Sequence, residues 1–74
     1  MTKLPRNVKA KDLVKVLEKL GFLSSGQSGS HLKMVHPDGR WTTVPIHRKP
    51  VPTGTLRAIL RQSQITAEEL LKNL

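Results

Sequence analysis

The sequence predicts a small α+β protein in which helices cover one face of a three-stranded antiparallel sheet. Three observations lead to this fold class: a helical repeat of apolar residues near the start, three short extended segments separated by turn residues, and helical segments near the end. Strands joined by short turns and flanked by helices bury one sheet face, so the other face is expected to be open. At 74 residues the chain is expected to form one domain, residues 1–74.

The first predicted helix spans residues 10–20. Its apolar residues recur at steps of three and four, which places them on one helical face: Leu13, Val16, Leu17 and Leu20. Lysines and a glutamate occupy the other side. Gly21 follows directly and is expected to end the helix, because glycine tolerates the left-handed conformation found there.

Three extended segments follow the helix. Residues 22–24 predict a short strand, residues 25–29 a mobile turn, and residues 31–36 a second strand. The sequence His-Pro-Asp-Gly-Arg predicts a tight turn, after which residues 41–46 return as the third strand. Side chains alternate along a strand, so His31 and Lys33 share the face opposite to that of the core residues Leu32 and Met34. His31 is therefore expected to face outward.

Two helices complete the predicted fold. Leu56, Ile59 and Leu60 mark the apolar face of the second helix, for which Thr53 is the expected cap. The sequence from Thr66 to Glu69 has the form of a capping box and predicts a last short helix.

The composition narrows the possible functions. Thirteen Lys and Arg against five Asp and Glu give a net charge of +8, which favours an anionic partner such as nucleic acid, an acidic protein or a membrane surface. The absence of cysteine excludes disulfides, thiolate nucleophiles and cysteine-ligated metals. No apolar run approaches the length of a transmembrane helix, so a soluble cytoplasmic protein is expected.

The histidines supply the only obvious reactive chemistry. His31 and His36 are five residues apart, which in a regular strand places them on opposite faces, so a shared metal ion is not expected. A lone outward imidazole can still give or take a proton near neutral pH. RNA cleavage can proceed with that group, because the ribose 2′-hydroxyl of the substrate is the nucleophile. Lys33, Arg57 and Arg61 are the cations expected to contact phosphate.

Two longer segments of this sequence resemble the HicA toxins of prokaryotic HicA–HicB toxin–antitoxin systems. They are "GSHLKMVHPDGRWTTVPIH" and "PTGTLRAILRQSQITAEELL", and the similarity spans about residues 8 to 72. The resemblance implies a double-stranded-RNA-binding-like α-β-β-β-α fold and endonucleolytic cleavage of mRNA. The catalytic histidine of that family falls on His31, and Gly29 and Ser30 match the residues before it. His47 matches a third-strand position whose role neither the resemblance nor the spacing assigns.

The resemblance also implies the partners. These are mRNA and a HicB-like antitoxin protein, with no direct binding of DNA, no membrane and no cofactor. Gly29, Ser30, Lys33, Arg57 and Arg61 are expected to bind the RNA. A non-catalytic RNA-binding or protein-interaction module stays open as an alternative, because the fold itself is usually non-catalytic.

Overall fold

Helices and strands follow one another in the computed structural model as predicted. The structure describes residues 3–74, so the first two residues of the predicted domain lie outside the described part. The elements are α1 (Ala10–Lys19), β1 (Leu23–Ser28), β2 (His31–Val35), β3 (Trp41–Pro45), α2 (Thr53–Ser63) and α3 (Ala67–Asn73). None of these helices is long and apolar enough to cross a membrane, within the part of the chain that the structure describes.

The strands form one antiparallel sheet in the order β1-β2-β3. Met34, Thr42 and Val44 are fully buried on one face, whereas His31 and Trp41 are exposed on the other. The alternation of strand side chains thus separates a core face from an open face. The predicted α+β architecture, with helices on one side of the sheet, is confirmed.

The core lies between the sheet and the helices. The apolar face of α1 packs on β3 and α3, and the apolar face of α2 packs on β3. The largest fully buried side chains are Phe22, Leu13, Leu17, Met34, Leu56, Ile59 and Leu70. Aliphatic residues therefore provide most of the interior, as the scarcity of aromatic residues requires.

Strand β1 is longer than the sequence indicated. The strand predicted at residues 22–24 is present and begins at Leu23, but the prediction of a mobile turn at residues 25–29 was wrong, since β1 continues to Ser28 and only two residues separate it from β2. The register shifts between Ser24 and Gly26, which identifies a β-bulge. Gly26 has a φ of 143°, a conformation that L residues with side chains rarely adopt. Pairing with β2 holds these polar residues extended despite their low strand propensity.

The helix ends agree only in part with the predictions. The capping box of α3 is confirmed, because the Thr66 hydroxyl accepts the Glu69 N–H at 3.0 Å and the Glu69 carboxylate accepts the Thr66 N–H at 3.0 Å. The prediction of Thr53 as the cap of α2 was wrong. Pro52 occupies the cap position without a side-chain hydrogen bond, and Thr53 is already helical.

An arginine fastens the β2–β3 turn to the end of α2. The Arg40 guanidinium donates to the Asp38 carboxylate at 2.8 Å and to the Ser63 carbonyl at 2.8 Å, and it lies 5.2 Å from the centre of the Phe22 ring. The Ser63 carbonyl is among the last four of α2, which have no partner within a helix, so Arg40 satisfies it. The backbone N–H of Arg40 also bonds to Asp38 and is the main reason that the pKa of Asp38 lies below its ordinary value of 3.8.

His36 packs beside the same turn, where its contacts stabilise the fold. Its ring lies edge-on to Phe22 with 5.1 Å between ring centres, and its Nδ1 accepts the backbone N–H of Asp38 at 3.1 Å. A Cβ at Gly21 would lie 2.7 Å from the His36 Nε2, and Gly21 has a φ of 98°. Only glycine therefore fits at the end of α1 against this imidazole.

Candidate active site on the open sheet face

His31 is the first residue of β2 and lies next to the β1–β2 turn. Its Cα pairs with those of Ser28 on β1 and Pro45 on β3, and its side chain is exposed on the open face. Two hydrogen bonds hold the turn. The Gln27 side-chain amide donates to the Gly29 carbonyl at 3.0 Å, and the Ile46 N–H donates to the Ser30 carbonyl at 2.6 Å. The backbone that carries His31 is thus tied to the strands on both sides.

A shallow groove of about 460 Å³ runs beside His31 on this surface. Its lining residues are Ser25, Gly26, Gln27, Ser28, His31, Lys33 and Thr43. The bulge in β1 determines this lining. It makes Gly26 the partner of Lys33 and Ser28 the partner of His31, so both β1 residues face the groove.

Three residues with hydroxyl groups line the groove, Ser25, Ser28 and Thr43, and none of them was predicted from the sequence. Ser28 pairs with His31, and Thr43 pairs with Lys33 across β2 and β3. Both hydroxyls can donate a hydrogen bond to a phosphate oxygen. The sequence signal for Ser28 is Gly26, because an isolated glycine in an extended segment suggests a bulge that changes which residues face outward. Thr43 could have been found from the alternation of β3 once the core residue Val44 was assigned.

The imidazole of His31 is free to engage a ligand. Within residues 3–74, no hydrogen bond or ion pair to another side chain involves it. No group of three or more metal-ligating side chains occurs in that same part of the chain. The chemistry available at this position is therefore proton transfer by one exposed ring, with Lys33 two residues farther along the same strand.

The structure brings together some of the predicted site residues and separates others. Lys33 follows His31 by two positions on the same face, about 6.6 Å farther along the strand. Gly29 and Ser30 form the turn directly before His31. Arg57 and Arg61 are exposed on α2, which covers the core face of the sheet, so they lie on the opposite side of the molecule from Lys33.

The histidines are also separated. His36 is half-buried in the turn after β2, where it contacts Phe22 and Asp38 rather than the groove. His47 is exposed beyond the end of β3 and is not among the groove residues. His31 is thus the one histidine that lines the groove.

The part of the chain from α1 to the end of α2 matches a protein-family model. A family model described as the HicA toxin of bacterial toxin–antitoxin matches residues 10–65. The matched segment begins with α1 and ends just after α2, so it includes the groove and every residue predicted for the site. A comparison with curated proteins found no match.

Proposed function

This chain belongs to the HicA toxin family, and from that premise we propose that it is a metal-independent endoribonuclease that cleaves mRNA with His31 as its single catalytic group. Family membership gives the role of a toxin in a toxin–antitoxin system. The observation that supports RNA cleavage is the position of His31. Its exposed imidazole lines the groove together with Lys33 and the hydroxyl groups of Ser28 and Thr43, which can bind phosphate.

The reaction requires from the protein a group that accepts a proton and a cation that stabilises negative charge. An imidazole nitrogen of His31 accepts the proton of a ribose 2′-hydroxyl, and the 2′-oxygen forms a bond to the adjacent phosphorus. The bond from phosphorus to the 5′-oxygen of the next nucleotide then breaks, that oxygen takes up a proton from water, and the His31 imidazolium returns its proton to the solvent. The products are a 2′,3′-cyclic phosphate and a 5′-hydroxyl end. Lys33 stabilises the negative charge that develops on the phosphate.

The alternative, a non-catalytic RNA-binding or protein-interaction module, also has one observation in its favour. Among the described residues, no side chain holds the His31 ring in a fixed orientation, as the third member of a catalytic triad does. A substrate phosphate can supply that orientation when RNA binds. An RNA-binding module would therefore bind RNA without cutting it, whereas a protein-interaction module would not bind RNA at all.

The phosphate contacts divide into two groups. Lys33, Gly29 and Ser30 are proposed to bind the phosphate at the cleavage site. Arg57 and Arg61 are proposed to bind RNA that extends from the open face to the helical side, because α2 holds them away from the groove. All of these contacts are to the backbone, so they position the RNA without reading its sequence.

The proposed inhibitor is an acidic, HicB-like antitoxin protein that covers His31. The net charge of +8 attracts an anionic partner, and the open sheet face offers it a surface. Inhibition is then steric, with antitoxin and RNA competing for one face. Because the nucleophile is a 2′-hydroxyl, DNA is not a substrate, and mRNA as the target places the activity in the cytoplasm.

The test compares cleavage of a transcript in excess EDTA by the wild-type protein, His31→Ala, and Lys15→Ala, which removes an exposed side chain from α1. His31→Ala should lose at least about 100-fold in rate, which is the usual contribution of a positioned acid or base. Its free energy of unfolding should change by no more than about 0.5 kcal/mol, because an exposed side chain leaves no cavity. Lys15→Ala should retain both activity and stability.

Three results would contradict the mechanism. The first is cleavage by His31→Ala at close to the wild-type rate with an unchanged thermal melt. The second is activity that disappears in EDTA and returns with zinc or magnesium. The third is cleavage of 2′-O-methyl RNA, which has no free nucleophile. Binding of RNA without cleavage by the wild-type protein would favour the non-catalytic module.

A further inference from the structure

The sole tryptophan of the sequence lies on the open face of the sheet rather than in the core. Trp41 is 50% exposed, and it shares the end of this face farthest from His31 with Val35 and Leu23, which is 67% exposed. Burying a tryptophan is strongly favourable in a protein with so small a core. A half-exposed indole on an open sheet is therefore a feature that packing does not explain.

A cation already contacts this ring. The Lys33 ammonium lies 5.1 Å from the centre of the Trp41 ring. Lys33 occupies the middle of the open face. On β2, His31 lies two residues before it. On the neighbouring strand β3, Lys33 pairs with Thr43, and Trp41 lies two residues before Thr43. The face thus carries a reactive ring, a cation and an aromatic surface in that order.

We propose that Trp41 is a stacking site for an unpaired base, so that the substrate crosses the open sheet face as single-stranded RNA. The proposal rests on the proposed ribonuclease function and adds the substrate class. Trp41 lies about 13 Å from His31 along the strands, since the two rows are four positions apart. A base on Trp41 therefore lies outside the dinucleotide that is cut, and Lys33 binds a phosphate between the two points.

The energies favour the base over the lysine as the partner of the ring. Base–aromatic stacking is the stronger interaction, whereas a cation over an exposed ring is weak. When RNA binds, a base displaces the Lys33 ammonium, and the flexible lysine side chain contacts phosphate instead. The strands hold the ring in place for either partner.

Trp41 also discriminates between single-stranded and double-stranded RNA. An aromatic side chain can stack only on a base whose face is exposed, and bases within an A-form duplex are covered by their neighbours. Open antiparallel sheets with exposed aromatic residues bind single strands in this way. The helical face offers no comparable ring, because neither α1, α2 nor α3 contains an aromatic residue.

The experiment uses the intrinsic fluorescence of Trp41, which reports on this site alone because the chain has one tryptophan. The wild-type protein is titrated with a labelled 2′-O-methyl oligouridine, which cannot be cleaved, and then with the same strand annealed to its complement. Binding is followed separately by the anisotropy of the label. The single strand should quench Trp41 with the same midpoint as the anisotropy, and the duplex should leave the fluorescence unchanged.

Variants test the ring itself. Trp41→Ala should weaken binding of the single strand about 5- to 150-fold, the range that corresponds to one stacked base. Trp41→Phe should restore most of the affinity. Leu71→Ala is the matched control, because Leu71 is 42% exposed on α3 and its removal takes a similar apolar group from the helical side. That variant should bind as the wild type does.

Several outcomes would overturn the proposal. The first is an anisotropy change that shows binding while the Trp41 fluorescence stays unquenched, and the second is equal quenching by duplex and single strand. The third is an unchanged affinity of Trp41→Ala for the single strand. The fourth is quenching that depends on protein concentration alone, which would indicate self-association through Trp41. A different result would contradict the proposed ribonuclease function. Quenching by the oligonucleotide without cleavage of unmodified RNA would leave the stacking site in place and remove the ribonuclease.

Discussion

Replacing Arg40 by alanine tests whether one side chain holds the two layers of the fold together. The substitution removes the hydrogen bond to the Ser63 carbonyl, the ion pair with Asp38 and the contact with the Phe22 ring. It leaves the groove beside His31 unaltered, because Arg40 does not line that groove and contacts the end of α2. The expected effect is therefore a loss of stability without a direct effect on the groove.

The magnitude follows from the contacts. A partly buried hydrogen bond from a charged donor contributes about 1.5–3 kcal/mol, and the cation–aromatic contact about 0.5–1 kcal/mol. The ion pair with Asp38 is exposed to solvent and adds little. The sum is about 2–4 kcal/mol, which is a large part of the roughly 4–11 kcal/mol expected for 74 residues. The melting temperature should fall by at least about 8 °C.

Circular-dichroism melts and urea titrations measure the effect. Arg40→Lys keeps the charge but has no planar fork for two acceptors, so it should be intermediate. Arg48→Ala removes an exposed arginine after β3 and is the matched control, with an expected change within about 0.5 kcal/mol. If Arg40→Ala loses no more stability than Arg48→Ala, the link between the turn and α2 does not stabilise the fold.

The remaining predictions concern pH, salt and the antitoxin. Because the pKa of Asp38 is lowered by its bond to the Arg40 N–H, the stability it provides is present above about pH 4 and lost as the pH falls through the lowered value. Melts of the wild type and Asp38→Asn should therefore converge in acid, and parallel pH profiles would contradict this. Arg57→Ala and Arg61→Ala should each reduce the salt slope of log affinity by about 0.7 for long RNA but not for a short oligonucleotide confined to the open face. An acidic antitoxin should protect the amides of residues 24–36 from hydrogen exchange and associate more slowly at high salt; protection confined to the helical side would refute steric inhibition.

Local patterns in the sequence were sufficient to predict much of the fold of this protein. The apolar repeat of α1, the capping box at Thr66 and the turn around Asp38 each depend on residues close together in the chain, and all three are present in the structure. The outward direction of His31 followed from the alternation of β2 with Met34 in the core. These features could be predicted because helix periodicity, strand alternation and capping are set by neighbouring residues.

Contacts between distant segments determined the features that could not be predicted from the sequence. Ser28 faces the groove only because a bulge near Gly26 shifts the pairing of β1 with β2. Arg40 satisfies the end of α2 because the fold brings Ser63 to it from 23 positions away in the chain. Arg57 lies on the opposite side from Lys33 because α2 packs on the core face, although charge alone had grouped the two. The sequence by itself determined which side chains each helix and strand presents, whereas register and packing between distant segments determined which of them meet.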